Sequence, residues 1–197
     1  STAFNFSVTQ VGPTEVDTLA ELQAYDVVVT GNTGFIFNDP FGNAQFDSAL
    51  RTWVSTGGGL VTSTYALYGI NSFTLGGIQI VSTTSRADLD AIIPINVVGA
   101  GGRVIGTVSP TSLGHPITSG VISFTPSIEQ EYSTIDPGAT VLATTNGQPT
   151  VVIGKPGLGR SVFLGPAYVV GDATLQAGAA DRLFEQAVAW AGARDQV

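Results

Sequence analysis

The segment Trp53-Val-Ser-Thr-Gly-Gly-Gly-Leu-Val-Thr-Ser-Thr-Tyr65 predicts the end of a helix, a tight turn and a buried strand. The apolar residues that lead into it recur at helical spacing, and Gly57 falls where a left-handed helix cap is wanted. Leu60 begins the strand, so Ser63 and Thr64 lie at or just past its carboxyl end. Ligands and catalytic groups of open α/β sheets gather beyond such ends. We therefore expect any chemistry to lie near Ser63 and Thr64.

Composition indicates one folded domain over residues 1–197. The chain is 43% hydrophobic and only 11% charged, which is ample apolar content for a core. Its 25 glycines favour short strands joined by tight turns.

Charge and residue usage exclude several classes of function. The net charge is −8 with seven Lys and Arg in total, and nucleic acid or anionic lipid needs a basic footprint. The absence of cysteine excludes disulfides, a thiolate nucleophile and thiolate metal ligands, and a single histidine excludes a His-rich metal cluster. No apolar run approaches the roughly 20 residues of a membrane span. We predict no cofactor.

Outward from the central segment, strands and helices alternate. The β-branched run Tyr25–Thr30 predicts a strand covered on both faces, and a helix is expected over 43–56. The dipeptide Asn146-Gly147 predicts a hairpin, and the apolar stripe in 173–193 predicts a closing helix. Phe4, Phe6 and Val8 alternate with polar residues, which predicts a half-buried strand near an edge. This order indicates an α/β fold with a mostly parallel sheet.

The order of segments resembles the class I glutamine amidotransferase-like superfamily, nearest its trehalose-utilisation (ThuA-like) branch. The resemblance is carried by five segments, which are Tyr25-Asp-Val-Val-Val29, Gly57-Gly-Gly-Leu-Val61, Gly114-His-Pro-Ile-Thr118, Glu131-Tyr132 and Gly157-Leu-Gly-Arg-Ser-Val-Phe-Leu-Gly165. It implies a three-layer, flavodoxin-like, mostly parallel sheet with a C-terminal hairpin and a closing helix.

The chain departs from that family where the catalytic residues would be. Amidotransferases place a cysteine nucleophile at the elbow, which here reads Thr62-Ser-Thr-Tyr65. ThuA-like proteins usually have a histidine around the position of Thr64 and another after the last strand, where this chain has Gly165-Pro-Ala-Tyr168. The family's chemistry therefore does not carry over to these residues.

A second departure concerns the start of the chain. Domains of this family open with a strand and a helix before the segment that matches Phe4–Val8, and that unit occupies the middle of the sheet. We therefore expect a domain of a longer precursor that lacks its first strand–helix unit, with the missing strand supplied by a preceding fragment or a partner. An intact sheet with Phe4–Val8 in the central slot would refute this.

Candidate catalytic residues are Ser63, Thr64, His115 and Glu131. A serine or threonine nucleophile needs a base within hydrogen-bond reach, and His115 is the sole histidine. The competing interpretations are that His115 fixes a loop through backbone hydrogen bonds and that Glu131 is a solvated loop residue. Scattered aspartates show no calcium-loop spacing, so no metal site is predicted.

Candidate binding residues cluster in loops near the expected carboxyl edge of the sheet, and they are Asn32, Phe35, Phe37, Tyr65 and Tyr68. Such aromatics bind a sugar or a partner surface, or else form a small satellite core. The glycine-rich loop 154–160 precedes a strand and lacks a Gly-Lys-Ser/Thr ending, so it predicts a turn and not a phosphate loop.

The sequence favours a non-catalytic domain of a larger, exported bacterial protein, secreted or at the cell surface, that acts in binding or assembly with a protein partner or with other domains of its precursor. One alternative is a hydrolase that acts on a carbohydrate through a hydroxyl, a carboxylate or a metal. Another is one processed part of a two-part assembly.

Overall fold

A computed structural model describes residues 4–31, 43–63, 66–67, 73–75, 78–80, 86–97, 101–168 and 172–193. The chain has an α/β fold, as the sequence predicts. Its helices are α1 (Leu19–Leu22), α2 (Ala44–Ser55), α3 (Arg86–Asp90) and α4 (Gly178–Gly192), with 3-10 turns at Pro13–Glu15, Pro116–Thr118 and Ala173–Leu175. Its strands are β1 (Val27–Thr30), β2 (Gly59–Ser63), β3 (Phe73–Leu75), β4 (Ile78–Ile80), β5 (Gly102–Val104), β6 (Ser109–Pro110), β7 (Gln130–Tyr132), β8 (Thr140–Thr145), β9 (Gln148–Gly154) and β10 (Arg160–Leu164).

Within the described residues, the main sheet has six strands in the order β1-β2-β10-β9-β8-β6. Leu60 of β2 lies in register with Val28 of β1 and with Ser161 of β10, and both pairings are parallel. From β10 onward the pairings with β9, β8 and β6 are antiparallel. The sheet is therefore mixed, whereas the sequence predicts a mostly parallel one: two of its five strand pairings are parallel, and they lie at the β1 end. Two separate antiparallel pairs, β3 with β4 and β5 with β7, lie outside it.

Successive residues of β2 enter two different cores. Leu60 packs in a cluster with Trp53 and Val54 of α2, whereas Val61 packs in a cluster with Leu183 of α4. This alternation follows from the two-residue period of a strand. Helices thus cover both faces of β2.

Glycines make the turn between α2 and β2 compact. Asn43 caps α2 by accepting hydrogen bonds from the backbone N–H groups of Gln45 and Phe46. At the other end Gly57 has φ +123°, as a left-handed cap requires. A Cβ on Gly59 would lie 2.4 Å from the carbonyl oxygen of Ala191, so α4 can approach the strand only because that side chain is missing.

The predicted hairpin is confirmed, and the predicted closing helix is confirmed in part. Asn146 and Gly147 have φ values of +50° and +82°, and they join β8 to β9. The segment 173–193 divides into the 3-10 turn Ala173–Leu175 and helix α4, because Gly178 adopts φ +66° at the junction.

Two predictions for the first strands are wrong. The segment Phe4–Val8 forms no strand, and the side chains of Phe6 and Val8 are 41% and 86% exposed, because no neighbouring strand among the described residues pairs with them. In β1 the prediction of cover on both faces fails at Val29, which is 42% exposed.

Candidate functional site

Ser63 is the last residue of β2 and is fully buried. Its Oγ donates a hydrogen bond to the carbonyl oxygen of Pro166 (2.8 Å) and accepts one from the backbone N–H of Tyr168 (3.0 Å). The hydroxyl proton is therefore directed at a carbonyl oxygen, which cannot act as a general base. Ser63 links the end of β2 to the segment that follows β10.

Glu131 lies in β7 and is 3% exposed, so the interpretation of a solvated loop residue is wrong. Its backbone N–H donates to the carbonyl oxygen of Gly165 (3.1 Å), and its Oε2 accepts from the backbone N–H of Leu67 (3.1 Å). β7 lies beside the end of β10, and the backbone N–H of Leu67, which is buried, requires an acceptor. Glu131 supplies that acceptor.

The structure thus brings Ser63 and Glu131 to the same place. Both contact the segment 165–168, Ser63 through Pro166 and Tyr168 and Glu131 through Gly165. Tyr168 is anchored in turn, since its hydroxyl donates to the carbonyl oxygen of Ala180 (2.8 Å) and burial strongly raises its pKa. The side chains of Ser63, Glu131 and Tyr168 therefore stabilise this edge of the sheet through hydrogen bonds to backbone groups.

His115 lies at the opposite end of the parallel strands. Its ring centroid is 5.5 Å from that of Trp190, whose carbonyl oxygen accepts from Nη1 of Arg160 at the start of β10. Arg160 is in register with Gly59, the first residue of β2, while Ser63 is the last. Four strand steps of about 3.3 Å separate the two ends by about 13 Å. His115 therefore cannot serve as the base for Ser63.

The side chain of His115 instead holds its own loop. Nδ1 accepts a hydrogen bond from the backbone N–H of Ile117 (3.2 Å), which caps the 3-10 turn Pro116–Thr118. Burial, with a contribution from Arg160, lowers the pKa of His115, so the imidazole is neutral at pH 7. The interpretation of a loop-fixing histidine is confirmed.

The remaining candidates, Thr64, Asn32, Phe35, Phe37, Tyr65 and Tyr68, lie outside the described residues.

A cavity of about 520 Å³ that was not predicted from the sequence lies beside His115. Asp136, Lys155 and Trp190 line it together with His115 and with apolar residues such as Ile93. Burial, with a contribution from Asp90, raises the pKa of Asp136 to about 6. The cavity offers a small polar ligand a carboxyl group that titrates near neutrality, an ammonium group and an indole. Its walls come from distant segments, and Asp136-Pro-Gly138 read alone is an ordinary turn signal.

The glycine-rich loop 154–160 is a turn, as predicted. The backbone N–H of Gly159 donates to the carbonyl oxygen of Pro156 (3.1 Å), and that of Leu158 donates to the carbonyl oxygen of Ser55 (3.0 Å). A Cβ on Gly159 would lie 2.0 Å from the carbonyl oxygen of Val54. These glycines let the loop pack against the end of α2.

Two acidic residues of the described ranges, Asp88 and Asp90, bind protein groups. Asp88 forms a salt bridge with Arg51 (2.8 Å), and Asp90 accepts from the backbone N–H of Val97 (3.0 Å). Among residues whose placement is described, no group of three or more His, Cys, Asp or Glu is arranged to hold a metal ion. The same part of the chain contains no helix with the length and hydropathy needed to cross a bilayer.

Comparison with known proteins places the fold. The sequence matches no family model and no curated protein. Among solved structures, the cytoplasmic protein STM3548 of Salmonella typhimurium is 17% identical with a TM-score of 0.66, over 91% of this chain and 76% of that one. A ThuA-like protein of Bacteroides uniformis is 14% identical with a TM-score of 0.61, over 93% and 75%.

A β-galactosidase from Rahnella sp. R3 contains a similar unit. It is 16% identical with a TM-score of 0.54, and the match covers 83% of this chain but 22% of that protein. Identities at this level establish the fold alone. The structural likeness agrees with the resemblance carried by the sequence motifs, and the chain shares its α/β fold with ThuA-like proteins.

Proposed function

We propose that this chain is a non-catalytic domain, three-layered and flavodoxin-like, that acts in binding or assembly within a larger, exported bacterial protein. The observation that carries the proposal is the state of the Ser63 hydroxyl, which is fully buried and has both its donor and an acceptor position engaged by backbone groups. Ser63 at the elbow therefore has a structural role and does not act as a nucleophile.

Two further observations support the architecture and the setting. Separate cores on the two faces of β2 favour three layers. The similar unit in the Rahnella β-galactosidase makes up about a fifth of that protein, so this fold occurs as one part of longer chains. The proposal of export rests on composition, since the chain has a net charge of −8 and a single lysine.

An activity screen tests the proposal. The purified protein would be incubated with chromogenic glycosides and esters, once with a chelator and once with added Ca²⁺ or Zn²⁺, and treated with a serine-reactive fluorophosphonate. We expect no turnover above background and no labelling of Ser63.

The proposal fails if turnover depends on the elbow. The decisive pattern is activity that disappears in Ser63→Ala and persists in Ser7→Ala, which removes an exposed hydroxyl elsewhere. Folding of both variants would be checked by circular dichroism, so that a loss of structure is not mistaken for a loss of chemistry.

A further inference from the structure

The cavity beside His115 lies at the opposite end of β10 from Ser63. Gly154, which lines the cavity at the end of β9, pairs with Ser161 near the start of β10. Ser63 pairs with Leu164 at the other end of β10. The cavity is therefore separate from the elbow, where the sequence predicts any chemistry to lie.

The walls of the cavity come from the two layers that cover the sheet. One wall contains Ile93, which belongs to the core on the α2 side. Asp136 is fixed to this wall, because its backbone N–H donates to the carbonyl oxygen of Pro94 (3.3 Å). The other wall contains His115 and Trp190, and Trp190 packs against the core on the α4 side. Asp136 and His115 thus line the cavity from different layers.

Asp136 gives its wall a negative charge. Its carboxyl group makes no hydrogen bond or ion pair with any residue that the structure describes. Burial, with a contribution from the charge of Asp90, raises its pKa to about 6, so it is ionised at pH 7. A positively charged group bound beside it would offset the unfavourable burial of that charge.

The opposite wall offers a hydrogen-bond donor beside a positive charge. Nδ1 of His115 accepts from the backbone N–H of Ile117 and the ring is neutral, so the proton lies on Nε2. Within the described ranges no protein group accepts from that N–H. The guanidinium carbon of Arg160 is 5.1 Å from the ring centroid of Trp190, and its charge helps burial to lower the pKa of His115. This wall therefore favours a negatively charged group.

The space between the two walls is apolar and larger than a single amino acid. Its apolar surface includes the buried side chains of Ile92, Ile93 and Ile153. At a water's share of about 30 Å³ per group, 520 Å³ holds a molecule of about 17 non-hydrogen atoms, the size of a dipeptide with two leucine side chains.

We propose that this cavity binds a short apolar peptide with free termini, with its ammonium group at the carboxylate of Asp136 and its carboxylate at the Nε2–H of His115. Capture of chain termini by a few polar groups, with apolar contacts between them, is a recurring mode of peptide recognition. A sugar would leave the two opposite charges unused, and a simple anion would be repelled by Asp136. The site goes beyond the proposed function, because it requires no property of the elbow.

Titration of the full chain with L-leucyl-L-leucine, followed by proton–nitrogen correlation NMR, tests the proposal. The chain has two tryptophans, and only Trp190 lines the cavity. We expect the indole N–H signal of Trp190 to shift with a Kd of about 1 mM or lower. The signal of Trp53, which is 4% exposed and packs against β2, should not shift and is the internal control.

Modified dipeptides and matched variants identify the two contacts. N-acetylation removes the ammonium group and C-terminal amidation removes the carboxylate, and each change should weaken binding to the parent by about tenfold. Asp136→Asn should weaken leucyl-leucine by about tenfold and leave the acetylated form unaffected. Asp17→Asn, which removes the same charge outside the cavity, should bind as the parent does.

His115→Asn tests the second contact. Asparagine keeps an acceptor for the backbone N–H of Ile117, since it is a good N-cap residue, but it lacks the Nε2–H. It should weaken leucyl-leucine by about tenfold and leave the amidated form unaffected. Circular dichroism would show that each variant is folded.

Two results would overturn the inference. One is an unshifted Trp190 signal at about ten times the expected Kd. The other is equal affinity of the parent for all three dipeptide forms, since the cavity would then recognise the apolar side chains alone. This second result requires no variant, so it holds even where a substitution disturbs the fold. Neither result bears on the activity screen, and Ser63-dependent turnover would remove the proposed function without altering these titrations.

Discussion

The hydroxyl of Ser63 and the carbonyl oxygen of Pro166 are joined by a hydrogen bond of 2.8 Å across 103 positions of sequence. The same hydroxyl accepts from the backbone N–H of Tyr168. The elbow after β2 and the segment after β10 are therefore one structural unit, and its loss should be measurable as stability.

Replacement of Ser63 by alanine should destabilise the fold by about 1–3 kcal/mol, because a buried N–H and a buried carbonyl lose their partner. Urea unfolding followed by fluorescence measures this. Ser7→Ala is the matched control and should change the free energy of unfolding by less than about 0.5 kcal/mol, since Ser7 is exposed. Equal stability of the two variants would contradict the structural task assigned to Ser63.

Gly159→Ala should cost about 1–3 kcal/mol, because the added methyl group overlaps the carbonyl oxygen of Val54 and forces loop and helix apart. The control is Gly114→Ala, where an added Cβ meets no atom within 4 Å. Thermal unfolding compares the two. If this loop instead bound phosphate, Gly159→Ala would keep normal stability and would lose binding of the anion.

Asp136→Asn should raise stability above pH 6. Burial, with a contribution from Asp90, raises the pKa of Asp136 from its ordinary value of 3.8 to about 6, so the folded protein favours the protonated carboxyl. Stability from this group is full below about pH 4 and is lost as the pH rises through about 6. Asparagine removes that dependence. The melting temperatures of variant and parent should thus agree near pH 4 and separate by pH 8, with the variant higher.

Asp172 should have the opposite effect on the pH dependence of stability, because its pKa is lowered on folding. Burial tends to raise its pKa, but hydrogen bonds from Thr174 and Ser127 outweigh that effect and lower the pKa to about 2. Its stabilisation is present above about pH 4 and disappears as the pH falls through about 2. Asp172→Asn should be less stable than the parent at pH 7 and approach it at pH 2, as measured by chemical unfolding. A constant difference across this range would show that the charge is irrelevant.

Local features of the fold were predictable from the sequence. The hairpin at Asn146-Gly147 follows from residues that tolerate positive φ, and α2 follows from its apolar spacing and its Asn43 cap. Both features depend on interactions within a few residues, so they can be predicted without knowledge of the rest of the molecule.

Long-range relationships were not predictable in the same way. Alternation in Phe4–Val8 was typical of a strand, but a strand needs a neighbour and the described structure provides none. From the sequence, Glu131 was predicted to be a solvated loop residue. It is buried because β7 lies beside β10. The hydrogen bonds of Glu131 are made with Leu67 and Gly165, which are distant from it in the sequence.

The sequence by itself determined the α/β class, the turn between α2 and β2 and the absence of a cysteine nucleophile, because each depends on residue type and local spacing. Only the tertiary structure decided that Ser63 is tied to Pro166 and that His115 lies at the far end of the strands beside a cavity. Those facts depend on which distant segments fold against one another, and burial and hydrogen bonding are fixed only when those segments meet.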